Sequence, residues 1–282
     1  MTQLRWTELS ERTQQIVKQY VEDMFFRTAD EDYLAARMLW HHGLSNGFCW
    51  SAAQSLEKYI KSALLLNGLS AKSLGHSLST GFDELQSKAS GLLPGHLFLP
   101  SKVLGQIPTN MLPVAEVPIK ETFAATLDRF AANGDTAQRY GERGHYLDLF
   151  DLHRFDLMCF FIRRLCVDLE SKENGVRLGD YLATRPEMNW KFLEHASMHV
   201  NLNAGESFQN NNYAFFLRPP NLASVVRKSE RYATLLQYKD DNTAEGKAAR
   251  QYLDQHAKVT TFEEEKREKK RKDKKTQQAR KS

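Results

Sequence analysis

Few residues in this 282-residue chain combine a type and a spacing that could do chemistry. In Glu194-His195-Ala196-Ser197-Met198-His199 two histidines stand four apart. On a helix that places both on one face, the spacing of paired metal ligands. The Glu that follows the first His in hydrolytic zinc helices is absent, so core or chance histidines are the plainer account and no metal site is expected. Cys49, Cys159 and Cys166 sit in apolar patterns without a CxxC pair, which reads as buried, reduced thiols. No GxxxxGK[ST] segment occurs, so nucleotide hydrolysis of the P-loop kind is disfavoured. Arg154, Arg163 and Arg164 leave two readings open, a basic patch on the last long helix or a solvated face.

The clearest chemical signal is a run of charge. Residues 263–282 hold ten Lys/Arg against five Asp/Glu, a formal +5, and the whole chain carries +4. The remainder is therefore close to neutral, at −1. A surface that binds phosphates needs clustered cations that displace condensed counterions, and only Lys269, Lys270, Arg271, Lys272, Lys274 and Lys275 form such a cluster. They are the expected polyanion contacts. No aromatic residue follows Phe262 to stack on bases, so binding there would be non-specific.

The elements that must position any site are helical. Ile16, Val17, Tyr20, Val21, Met24 and Phe25 recur at three- and four-residue steps within 8–28 and predict an amphipathic helix. Asp30 and Asp32 are placed to cap a second, with Tyr33, Ala36, Leu39 and Trp40 on its apolar face up to Gly43. The strongest stripe runs through Cys49, Ala52, Ala53, Leu56, Tyr59, Ile60, Ala63 and Leu64. It carries a Glu57–Lys61 pair on the solvent side, and Asn67-Gly68 is its stop. Further stripes cover 78–92, 119–132 and 146–170. Pro94, Pro100, Pro108, Pro113 and Pro118 forbid a long helix across 94–118, which reads as an extended insertion. No structure is assigned to 174–221. Residues 222–257 read as helical but more polar, and from Phe262 onward the charge run reads as a frayed helix or disorder. Helices joined mostly by short turns must bury their stripes against one another, so the fold class is all-α, an up-and-down bundle.

Two segments add a resemblance. Asp32, Tyr33, Ala35, Ala36 and Arg37, then Ala52, Ala53, Leu56, Glu57, Lys58, Tyr59, Ile60 and Lys61, then Gly75, His76, Ser77 and Leu78, stand in the order and spacing of a HEPN domain, the "higher eukaryote and prokaryote nucleotide-binding" module. Gln138 to Cys166 is similar to that family's Arg-Tyr turn and final long helix. The resemblance implies a HEPN-like bundle at 30–172 with the proline-rich insertion at 94–118. It is preceded by an N-terminal helix at 1–29 and followed by a less regular region at 173–257 and a charged basic tail at 258–282.

For function, the resemblance implies nucleotide or RNA association without a cofactor, with His76, Lys58 and Lys61 as candidate ligand contacts. It also implies self-association as a homodimer and a protein partner encoded in the same operon. His76 has a structural alternative, an imidazole that caps free backbone groups at a helix start. Many family members resemble metal-independent ribonucleases that use an Arg and a His four to six residues apart, a spacing that Arg139 and His145 satisfy. The chain departs from that pattern at Tyr140, where a small polar residue is usual, and at Leu147, with Tyr146 one position early. Three readings therefore stand: a binding or regulatory module, a toxin- or defence-like endoribonuclease, and a non-catalytic scaffold. No secretory leader pattern opens the sequence and no apolar run reaches membrane length. A cytoplasmic protein is expected.

Overall fold

The computed structural model describes residues 4–98, 120–134, 147–148, 150–173, 175–184 and 242–257. Eight α-helices of these residues are α1 (Glu11–Val21), α2 (Arg27–His41), α3 (Ser45–Leu66), α4 (Leu78–Lys88), α5 (Phe123–Asn133), α6 (Asp151–Arg163), α7 (Leu178–Thr184) and α8 (Ala244–His256). They form a predominantly α-helical bundle. Side-chain hydroxyls start four of them: Ser10, Ser77, Thr122 and Thr243 accept from the backbone N–H of Thr13, Thr80, Ala125 and Gly246, satisfying donors that a first turn leaves orphaned.

Helix α3 lies at the centre and packs on α1, α2, α4, α5 and α6. Its stripe is fully buried at Phe48, Cys49, Ala52, Leu56, Tyr59, Ala63 and Leu64, as its apolar period requires. Helices α2 and α3 form a hairpin across a turn where Gly43 adopts φ +69°. At the far end of α3 the expected stop holds, with more work for both residues than capping. Gly68 has φ +73°, and a Cβ there would lie 2.8 Å from Trp6 Cβ. Asn67 donates to the carbonyls of Ala63, Leu165 and Val167 and accepts from Leu169 N–H at 3.0 Å, pinning the chain that leaves α6 to the end of α3.

Several boundaries differ from the sequence expectation. No break occurs at Asp30: α1 runs through a π-helical turn, Glu22–Phe26, directly into α2. Asp30 and Asp32 are mid-helix residues with partners elsewhere, so neither is a cap. A π turn inserts one residue into the helical winding. It thereby rotates the Asp30 face relative to the α1 face, which no periodicity count over 8–28 would reveal. The arm at 94–118 begins and returns through a two-stranded antiparallel ladder, β1 (His96–Phe98) on β2 (Lys120–Thr122), with Leu97 opposite Glu121. Residues 99–119 lie outside the described residues. The last long helix spans Asp151–Arg163, shorter than 146–170. Beyond it, β3 (Lys172–Glu173) pairs with β4 (Val176–Arg177). The C-terminal helix α8 packs on α1.

No helix of the described residues is long and apolar enough to cross a membrane. All three cysteines are buried and free.

Candidate functional site

Helices α2 and α6 carry the same pattern in opposite directions. Asp30, Tyr33 and Arg37 on α2 have the i, i+3, i+7 spacing that lines one helix face, and Asp156, Cys159 and Arg163 on α6 repeat it. Arg163 donates to both oxygens of Asp30, at 2.7 and 2.8 Å. Arg37 forms a close ion pair with Asp156. The first acid of each helix thus holds the last arginine of the other, which requires the helices to run antiparallel. Each carboxylate also accepts a tyrosine hydroxyl, Tyr59 on Asp30 at 2.5 Å and Tyr33 on Asp156 at 2.6 Å. Arg163 also lies over the Phe26 ring, 4.6 Å from its centroid.

Burial opposes charge on both arginines, but their tyrosine and aspartate partners outweigh it and raise both above the ordinary guanidinium value. Cys159 sits between the two clamps with its thiol pushed well up by burial. It is a packed group, inert as a nucleophile.

A second network secures the start of α6. Arg154 pairs with Glu121, Asp148 and Asp151 at 3.2, 2.6 and 3.0 Å, and Arg129 of α5 pairs with Glu121 at 2.9 Å and with Asp151. The Asp151 side chain is fully buried. Together these groups join β2, α5 and α6. Arg164, also buried, donates to the Leu182 carbonyl of α7. Arg154, Arg163 and Arg164 are therefore neither a basic patch nor a solvated face. They are interior groups committed to carboxylates or carbonyls, as buried charge must be. The mirrored Asp-Arg spacing was the available sequence signal for one of them, Arg163.

Among the predicted contacts, Lys61 pairs with Glu57 at 2.6 Å and Lys58 with Asp32 at 2.5 Å. The Glu57–Lys61 pair is real but mostly covered rather than on an open face. His76 follows Gly75, whose φ is +55°, and its Nδ1 lies 3.0 Å from Glu57 Oε2 with the ring largely exposed. The backbone cap at this helix start is Ser77, so the capping role expected for the imidazole falls to its neighbour. The structure therefore brings His76, Glu57 and Lys61 into one cluster, with the Lys58–Asp32 pair on the adjoining surface of α3. Arg139 and His145 lie outside the described residues, as do His195, His199, Lys269, Lys270, Arg271, Lys272, Lys274 and Lys275. Among the described residues no group of His, Cys, Asp and Glu is arranged to hold a metal ion.

Comparison with known families gives one assignment. Residues 23–95 match the family model of the HEPN domain. This part of the chain is similar to the HEPN domain. The match spans α2, α3 and α4 and opens inside the π turn, so it contains Asp30, Tyr33, Arg37, Lys58, Tyr59, Lys61 and His76. The HEPN match stops short of α6, which supplies the other half of both clamps. No curated protein and no solved structure matches the chain.

Proposed function

We propose that the protein is a HEPN-type helical module that associates with nucleotides or RNA and works by binding or regulation. The observation that carries this reading is the HEPN match over 23–95. Electrostatics decides where a polyanion would be held. Arg37, Arg129, Arg154 and Arg163 are consumed by internal carboxylates. Lys58 and Lys61 are each paired, so an incoming phosphate competes there with Asp32 and Glu57. Lys269 to Lys275 is the one strongly cationic stretch of the sequence. The main polyanion contact is assigned to Lys269, Lys270, Arg271, Lys272, Lys274 and Lys275, with His76, Lys58 and Lys61 as ligand contacts on the bundle. Homodimerisation, a protein partner from the same operon and a cytoplasmic location belong to the same proposal.

The reading is tested by titrating labelled single-stranded RNA with the full chain at several salt concentrations. Six engaged cations give a slope of log K against log salt of about −4. Replacing the six by Gln should flatten that slope. An unchanged slope would remove the tail from the account, and absence of binding at low salt would remove the RNA reading.

A second reading, endoribonuclease activity, is favoured by one feature of the sequence: Arg139 and His145 stand with five residues between them, in the stretch that joins α5 to α6. In it, Arg139 would hold the scissile phosphate by two parallel hydrogen bonds while His145 takes the proton of the attacking ribose 2′-hydroxyl. The 2′-oxygen bonds to phosphorus as the phosphorus–5′-oxygen bond breaks, and the departing 5′-oxygen takes a proton from water, giving a 2′,3′-cyclic phosphate and a 5′-hydroxyl end. Incubation with RNA and chelator, beside Arg139→Ala/His145→Ala, separates the readings. Cyclic-phosphate products from the wild type alone establish the nuclease. Binding without cleavage leaves the binding module, and neither leaves a scaffold.

A further inference from the structure

Helix α8 is joined to the bundle differently from the helices the HEPN model covers. Fifty-nine residues of sequence separate it from the end of α7 at Thr184, so seating it closes a long loop. Its buried face is small: Ala249, Tyr252 and Leu253 are fully covered, with Gly246, His256 and Ala257 nearly so. Four hydrogen bonds hold its last turn. Leu4 N–H donates to Gln255 Oε1 at 2.8 Å, and His256 Nε2 meets the Leu4 carbonyl at 2.8 Å. Ala71 N–H donates to the His256 carbonyl at 2.8 Å, and Lys72 Nζ to the Asp254 carbonyl at 2.7 Å. The last two satisfy carbonyls that a helix end otherwise leaves open, and Trp6 packs its ring against Tyr252, with centroids 5.6 Å apart.

Against these contacts stand two polar atoms sealed in the same contact surface. The Tyr252 hydroxyl and His256 Nδ1 are buried and, among the described residues, have no hydrogen-bond partner. Each exists only while the helix is seated, because detachment returns both to water. A sealed, unmet hydroxyl favours the open form by several-fold in the opening constant.

We infer that α8 is a strap that opens as a unit from an otherwise intact bundle. It is clasped at its last turn by residues 4 and 71–72 and weakened by the unpaired Tyr252 hydroxyl. Opening uncovers the α1 face on which α8 packs.

Hydrogen–deuterium exchange by mass spectrometry on the full chain tests this. Amides of 244–257 should exchange at least tenfold faster than those of Ser45–Leu66 in α3 under native conditions. Tyr252→Phe deletes the sealed hydroxyl and keeps the ring, so it should slow exchange of 244–257 by roughly fivefold or more and leave α3 unchanged. Leu253→Ala should speed exchange in 244–257 alone. The inference is overturned if 244–257 and α3 exchange at one rate, if Tyr252→Phe leaves the strap unchanged or loosens it, or if Leu253→Ala accelerates α3 equally. Each of those results would make α8 an ordinary part of one cooperative core.

Discussion

Replacing Asp156 by alanine removes the centre of a buried polar group and leaves its partners behind. Asp156 is 1% exposed and Arg37 3% exposed. Arg37 would keep its charge with no carboxylate beside it, and the Tyr33 hydroxyl would lose the acceptor it holds at 2.6 Å. Breaking a buried pair by deleting one partner costs about 3–5 kcal/mol, and an orphaned hydroxyl adds about 1 kcal/mol. The loss is a large share of the about 5–15 kcal/mol that stabilises a domain, and should lower the melting temperature by roughly 10–20 °C. Asp30→Ala should cost less, since the Asp30 side chain is 26% exposed and water can reach the groups it leaves.

The decisive comparison is Tyr33→Phe/Arg37→Met/Asp156→Leu, which removes the whole polar set. Because apolar side chains of similar volume replace a buried pair at little or no cost, this triple variant should recover most of the stability that Asp156→Ala loses. Differential scanning calorimetry and urea unfolding would measure all three proteins. The reasoning is refuted if Asp156→Ala costs no more than Glu8→Ala, which breaks an exposed pair with Arg5, or if the triple variant is the least stable of the set.

Gly134→Ala places a Cβ 2.2 Å from Ala53 Cβ and 2.9 Å from the Cys49 carbonyl, so it should destabilise the fold by about 1–3 kcal/mol in urea unfolding. Burial pushes the Cys49 thiol up to about 12 and holds the Cys159 thiol well above the ordinary thiol value. Iodoacetamide at pH 8 should therefore label no cysteine in the folded protein and all three in urea, as read by mass spectrometry. Asn67→Ala should cost about 2–4 kcal/mol by leaving Leu169 N–H and the Leu165 and Val167 carbonyls buried without it, with the loss read from chemical unfolding. Burial, followed by the nearby Arg37 charge, lowers His41 below the ordinary histidine value. A histidine that binds its proton less well folded than unfolded costs stability as pH falls through the ordinary histidine range. His41→Gln should flatten that acid-side loss, and an NMR titration should find the His41 midpoint below that of a free peptide.

The helices were legible where one face is apolar and the other polar. The α3 stripe from Cys49 to Leu64 and the Asn67-Gly68 stop needed only helical period and turn chemistry. Asp30 and Asp32 were misread because an acid ahead of an apolar stripe is the ordinary sign of a cap, and a π turn that lets two helices run on as one leaves no periodic trace. The arginines of α6 were misread for a related reason. A charged residue in an amphipathic pattern is assigned to water unless its partner is known, and the partners of Arg163 and Arg154 lie on other elements. The β1–β2 ladder joins residues more than twenty positions apart in strands of three, too short for alternation to show. His76 stood out through resemblance, while its Glu57 contact comes only from how the α3–α4 turn folds back on α3.

RNA association is the claim on which the functional account turns, and it is met most directly by fluorescence anisotropy. The full, folded chain is titrated into a labelled single-stranded RNA with chelator present, from low to physiological salt. The account predicts saturable binding that weakens with a slope of about −4 in log K against log salt and flattens when the six cations of 269–275 become Gln. An anisotropy that stays at the value of free RNA at the lowest salt would contradict it and leave the bundle as a protein scaffold.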